Sequence, residues 1–80
     1  MFSYETKTIN EVNVTLFAVN VVNRTALYFA RVPLHDYYIH RRSERRFDVE
    51  TYNGGWIDEA STLEDACKII MEVEEGLVPW

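Results

Sequence analysis

One cysteine and three glycines are few for a chain of 80 residues, and each scarcity excludes something. The lone thiol, Cys67, cannot form an internal disulfide, so the chain is not a stapled secreted miniprotein and fits a reducing, cytoplasmic setting. So little glycine leaves no phosphate-cradling loop; Asn53-Gly54-Gly55 reads as a hairpin turn. No apolar run approaches the roughly 18 residues of a membrane-spanning helix. The start, Met1-Phe2-Ser3-Tyr4-Glu5, lacks the basic flank and apolar stretch of a signal peptide. There is no repeat, low-complexity tract or linker, so a single domain spanning residues 1–80 is expected.

Catalytic signatures are missing as well. Ser, His and Asp occur without any motif that would join them into a triad. His35 and His40 are five positions apart, so an ideal strand points them to opposite faces and one metal cannot be shared. Cys67 falls in an apolar stripe, where a thiol is inert. No cofactor or metal is implied, and the expected protein is not an enzyme.

What the chain does have is an apolar pattern good enough for a core, and a sorted charge. Apolar residues make up 48% and aromatics 14%, which argues against disorder. From Arg24 to Arg46 six arginines face two acids; from Phe47 to Trp80 nine acids face one lysine, Lys68. The formal net charge is −5, and its uneven distribution gives a strong electrostatic dipole that steers partners without dictating fold.

Strands come first and one helix last. Residues 12–22 are β-branched and aromatic, with apolar side chains on both faces, as in a strand covered twice or covered by a second chain. Asn23-Arg24 reads as a turn, and residues 26–32 return to Pro33. Residues 35–42 and 46–52 form a second hairpin around Ser43-Glu44-Arg45. Alternation sends Tyr37, Ile39, Phe47, Val49 and Thr51 to one face, and Asp36, Tyr38, His40, Arg42, Asp48, Glu50 and Tyr52 to the other. Residues 56–59 are a short last strand, with Trp56 expected against the helix start. Residues 62–75 are helical, opened by a Ser61–Glu64 capping box and closed by Gly76. Leu63, Ala66, Cys67, Ile70, Val73 and Leu77 form its inward stripe. The expected fold is α+β: an antiparallel meander sheet of four to five strands with the C-terminal helix packed on one face, leaving the other face open.

Two surfaces are candidates for binding. Arg41, Arg42, Arg45 and Arg46, with Tyr38 and His40 beside them, put guanidiniums and stacking groups at a hairpin tip, as recognition of phosphates or acidic side chains requires. The competing reading pairs these arginines with Glu44, Asp48 and Glu50. Asp58, Glu59, Glu64, Asp65, Glu72 and Glu75, with Glu74 among them, make an acidic stretch able to imitate nucleic-acid phosphates, or merely to keep a helix soluble. Trp80 is either a core residue or a partner-binding anchor.

The order strand–strand–strand–helix, with the helix start Ala60-Ser61-Thr62-Leu63-Glu64-Asp65-Ala66-Cys67, resembles the plant AP2 and phage-integrase arm-binding domains. That resemblance implies a sheet reading DNA, with Arg31, Arg41, Arg42 and Trp56 as the comparable side chains. A small acidic chain without a catalytic constellation is similar in style to phage-encoded anti-CRISPR inhibitors. The implied function is non-catalytic occlusion of a protein partner, a bacterial defence nuclease or surveillance complex, by a monomer or homodimer with no membrane association. The alternative is a nucleic-acid-binding sheet centred on the arginine hairpin.

Overall fold

Alternating apolar residues build a meander in which every strand pairs with the one before it. The computed structural model describes residues 6–20, 22–33 and 35–76. Its strands are β1 (Thr6–Ile9), β2 (Val12–Asn20), β3 (Thr25–Arg31), β4 (Asp36–Ser43), β5 (Arg46–Thr51) and β6 (Trp56–Ala60), followed by α1 (Leu63–Glu74). All neighbours are antiparallel, in the order β1-β2-β3-β4-β5-β6.

The α+β meander with one C-terminal helix is the expected architecture, but among the described residues the sheet has six strands rather than four to five. The addition is β1. It joins β2 through Asn10 and Glu11, both left-handed at φ 50 and 70, which closes the Ile9–Val12 pair as a two-residue hairpin. Such turns need positive φ at both central residues. Asparagine adopts it readily, whereas Glu11 sits there at a cost of about 1 kcal/mol. Side chains fasten β1 across the pair: the Thr6 and Thr15 hydroxyls lie 2.9 Å apart, and Thr8 Oγ1 donates to Asn13 Oδ1 at 2.9 Å.

The core lies between the sheet and α1. Val12, Val14, Ala30, Tyr37, Ile39 and Val49 project from one sheet face and pack with Ala66, Cys67, Ile70 and Val73 of the helix. Leu77, expected to continue that stripe, lies outside the described residues, as do Val21 and Trp80. Burial, reinforced by the nearby Glu64 charge, pushes the Cys67 thiol up to about 11, so it acts as a small apolar side chain. Trp56 corrects the expectation placed on it. It lies opposite Glu50 on the other face, 57% exposed, and does not seal the helix start.

In β2 the alternation breaks. Leu16 pairs with Tyr28 and Ala18 with Leu27, so a bulge at Phe17 reverses which face each later residue takes. The apolar residues on both faces therefore do not mark a doubly covered strand: Phe17 is 59% and Val19 56% exposed.

The helix begins one residue later than expected. Thr62, not Ser61, is its cap. Thr62 has extended backbone, its hydroxyl accepts from Asp65 N–H at 3.1 Å, and its carbonyl accepts from Ala66 N–H at 3.1 Å. Thr62→Ala should cost about 1 kcal/mol, and Ser61→Ala only a few tenths. Urea unfolding of the two variants checks this; equal losses would refute the assignment. Gly76, left-handed at φ 76, ends the helix, its N–H donating to Val73 O at 3.0 Å. Two loops hold α1 at its ends. Asn10 Nδ2 donates to Glu64 O at 3.1 Å, and Glu74 accepts from Tyr37 OH at 2.9 Å and lies 2.9 Å from His35 Nδ1. Burial and the Glu74 carboxylate raise Tyr37 far above the usual phenol range. Among the described residues, no helix is long and apolar enough to cross a membrane.

Candidate functional site

The sheet face away from α1 divides into an aromatic row and an ion-pair network. Alternation through β3, β4 and β5 brings Phe29, Tyr38 and Tyr52 together there. Phe29 meets Tyr38 edge-on with ring centroids 5.6 Å apart, and Tyr38 stacks on Tyr52 at 6.4 Å. The Arg31 guanidinium lies 5.3 Å from the centre of the Phe29 ring and donates to Asp36 at 3.1 Å.

Toward the β4–β5 turn the same face is organised around Asp48. Its side chain is only 6% exposed. Arg42 Nε donates to one of its oxygens at 3.0 Å and Arg46 Nε to the other at 3.2 Å. Burial alone would raise its pKa. The hydrogen bonds from Arg42 and Arg46, with Trp56 and the Arg46 charge adding to them, outweigh burial and hold it below the usual carboxylate range. Arg42 also reaches Glu50 at 3.7 Å, Arg46 reaches Glu59 at 3.5 Å, and His40 lies 3.7 Å from Glu50. Among the described residues Glu50 Oε2 is buried with no hydrogen-bond partner, and the Arg42 guanidinium lies 3.7 Å from it.

The four hairpin arginines therefore do not form one patch. Arg42 and Arg46 lie on this open face and are committed to carboxylates. Arg41 falls on the opposite face, paired in register with Ala26 and Phe47; its Nε donates to Ser43 O at 3.2 Å, and its guanidinium lies 5.6 Å from the Phe47 ring centre. Arg45 is exposed in the turn. Tyr38 and His40 share the open face with Arg42 and Arg46, as alternation predicts, and are half-buried. Pairing with Asp48 and Glu50 is the competing arrangement read from the sequence. Glu44, the third expected acid, instead lies 3.7 Å from Arg24.

The acidic residues also separate. Glu59 joins the open-face network through Arg46, and Asp58 is half-buried in β6 opposite Val49. The other four share one side of α1. Steps of 100° per residue place Glu64, Asp65, Glu72 and Glu75 within about a third of the helix circumference, opposite the buried stripe, with Lys68 among them. None of these four makes an ion pair among the described residues. Glu74 differs: it turns toward the sheet and meets His35 and Tyr37.

No family model, curated protein or solved structure matches the chain. Function must therefore be argued from these surfaces. The sequence named Asp48 as one of three partners for the hairpin arginines; that its single carboxylate takes both Arg42 and Arg46 is visible only in the structure. Sequence reasoning missed the Phe29–Arg31 pair, whose i, i+2 spacing was its only signal.

Proposed function

We propose that the chain is a non-catalytic protein-binding domain whose acidic helix face occludes a basic, nucleic-acid-binding groove of a partner. A phage inhibitor of the anti-CRISPR type, acting on a defence nuclease or surveillance complex, is the kind of protein this describes. One observation carries the reading: the arginines are largely spent on internal pairs, while Glu64, Asp65, Glu72 and Glu75 are left without cationic partners among the described residues. Unpaired surface charge of one sign steers association and fixes orientation on a complementary surface. The helix also has no basic residue in its last turn, so Glu72 and Glu75 stand near the negative end of its dipole. Each misplaced charge costs up to about 0.5 kcal/mol at an exposed site. An acidic face kept against local stability is intelligible as a binding face.

Affinity capture from bacterial lysate, followed by titration of the captured effector, tests this. Glu72→Lys with Glu75→Lys should weaken the complex at least about tenfold and flatten its salt dependence, whereas Arg42→Glu with Arg45→Glu should leave affinity nearly unchanged. The wild type should not retard duplex DNA at low salt. Unchanged affinity after the glutamate reversals would sink the proposal.

A further inference from the structure

One helix cannot cover this sheet. Twelve residues span about 18 Å, whereas six strands are about 24 Å across and the hairpins extend further along their length. The helix ends are held by Asn10 and His35, at the β1–β2 and β3–β4 connections. Toward the opposite ends of β2, β3 and β4 the same face is only partly covered: Val19 is exposed, Leu16 and Tyr28 are half-buried and Ala26 is buried. Register identifies what they show there. Leu16 lies beside Tyr28, Val19 beside Ala26, and Ala26 beside Arg41.

These residues floor a trough. One part, of about 400 Å³, is lined by Leu16, Val19, Ala26 and Tyr28 with Arg24, Arg41 and Glu44 at its rim. A smaller, more enclosed part of about 120 Å³ shares Leu16 and Tyr28 and runs on to Lys7. The apolar floor of the trough is Leu16, Val19, Ala26 and Tyr28, and Asn20 and Thr25 line it beside them. Its rim carries three cations and one acid, and that acid lies 3.7 Å from Arg24, with both side chains largely exposed. Val22 stands just beyond, 91% exposed.

We propose that this trough is a docking site for an acidic amphipathic segment of a partner protein, apolar side down and carboxylates toward Lys7, Arg24 and Arg41. The choice of occupant rests on charge complementarity joined to the apolar floor. Nucleic acid would satisfy the rim, but its bases need flat stacking platforms, and the floor offers only Tyr28. A second copy would bring the acidic side of α1, but Glu64, Asp65, Lys68, Glu72 and Glu75 present no apolar anchor for the floor. A helix with leucines at i, i+3, i+4 and i+7 and glutamates on its flanks satisfies both parts at once. This surface is separate from the outer side of α1, so the inference does not depend on the function proposed above.

Backbone amide NMR titration of the whole chain tests it. The probe is a synthetic leucine–glutamate amphipathic peptide. Its controls are the matching leucine–lysine peptide and an oligothymidine. The glutamate peptide should shift the amides of Leu16, Val19, Ala26 and Tyr28 with sub-millimolar affinity, and the lysine peptide should bind about tenfold more weakly or not at all. Arg24→Glu with Arg41→Glu should reverse that preference while spectral dispersion is kept. Four results would overturn the proposal: no shifts at millimolar peptide, equal binding of both peptides, shifts with oligothymidine alone, or shifts of the same amides when the protein itself is concentrated. The last would assign the trough to a second copy.

Discussion

Ile39→Ala is expected to destabilise the domain by about 3–4 kcal/mol. Ile39 is fully buried in the central strand β4, in register between Tyr28 and Val49, on the face that α1 covers. Truncation removes three methyl-sized groups and leaves a cavity between sheet and helix that neither layer can close without moving the other. A domain of this length has a total stability of about 4–12 kcal/mol, so one substitution takes a large share of it. Urea unfolding should show the midpoint falling by about a quarter or more with little change in slope. Val22→Ala, at a position 91% exposed, should change stability by less than about 0.5 kcal/mol. A loss below about 1 kcal/mol for Ile39→Ala would mean that this face of β4 is not the centre of the core.

That core was largely legible in the sequence because two periodicities agree. Period-two alternation put Tyr37, Ile39, Phe47, Val49 and Thr51 on one face, and all are buried there. Helical spacing put Ala66, Cys67, Ile70 and Val73 on the side that meets them. Legibility failed where local geometry departs from its usual residue type. The β1–β2 turn uses Asn10-Glu11 where a glycine would announce positive φ, so a four-residue strand rich in threonine passed unseen. The bulge at Phe17 reverses alternation in the middle of β2 with no glycine or proline to mark it. Ser61–Glu64 and Thr62–Asp65 are the same capping pattern shifted by one residue, and only the backbone distinguishes them. The candidate surfaces were legible as composition and not as arrangement. Four adjacent arginines look like one patch until pleating sends Arg41 to one side of the sheet and Arg42 and Arg46 to the other.

The commitment of those arginines predicts a specific pH dependence. Asp48→Asn should cost about 2 kcal/mol at neutral pH, from two charge-assisted hydrogen bonds weakened to neutral ones. The loss stays below that of breaking a fully buried pair, because Arg42 and Arg46 are each about half exposed and recover water when their partner is neutral. Asp48 is held below the usual carboxylate range in the folded protein. The folded state therefore favours the anion, and the resulting stability is fully present above the unfolded carboxyl pKa of about 3.9. It is lost as pH falls from there through the folded value, where the unfolded chain binds the proton first. Urea unfolding of wild type and Asp48→Asn at pH 7, 5 and 3 should give a gap that is constant between the first two and narrows at the third. The narrowing follows because acid makes the wild-type side chain as neutral as the amide. A gap of equal size at pH 7 and pH 3 would show that Asp48 acts through shape and packing rather than charge. The arginines would then owe their placement to their own stems against the sheet, and the case for the acidic helix face as the unspent charge of this molecule would weaken with it.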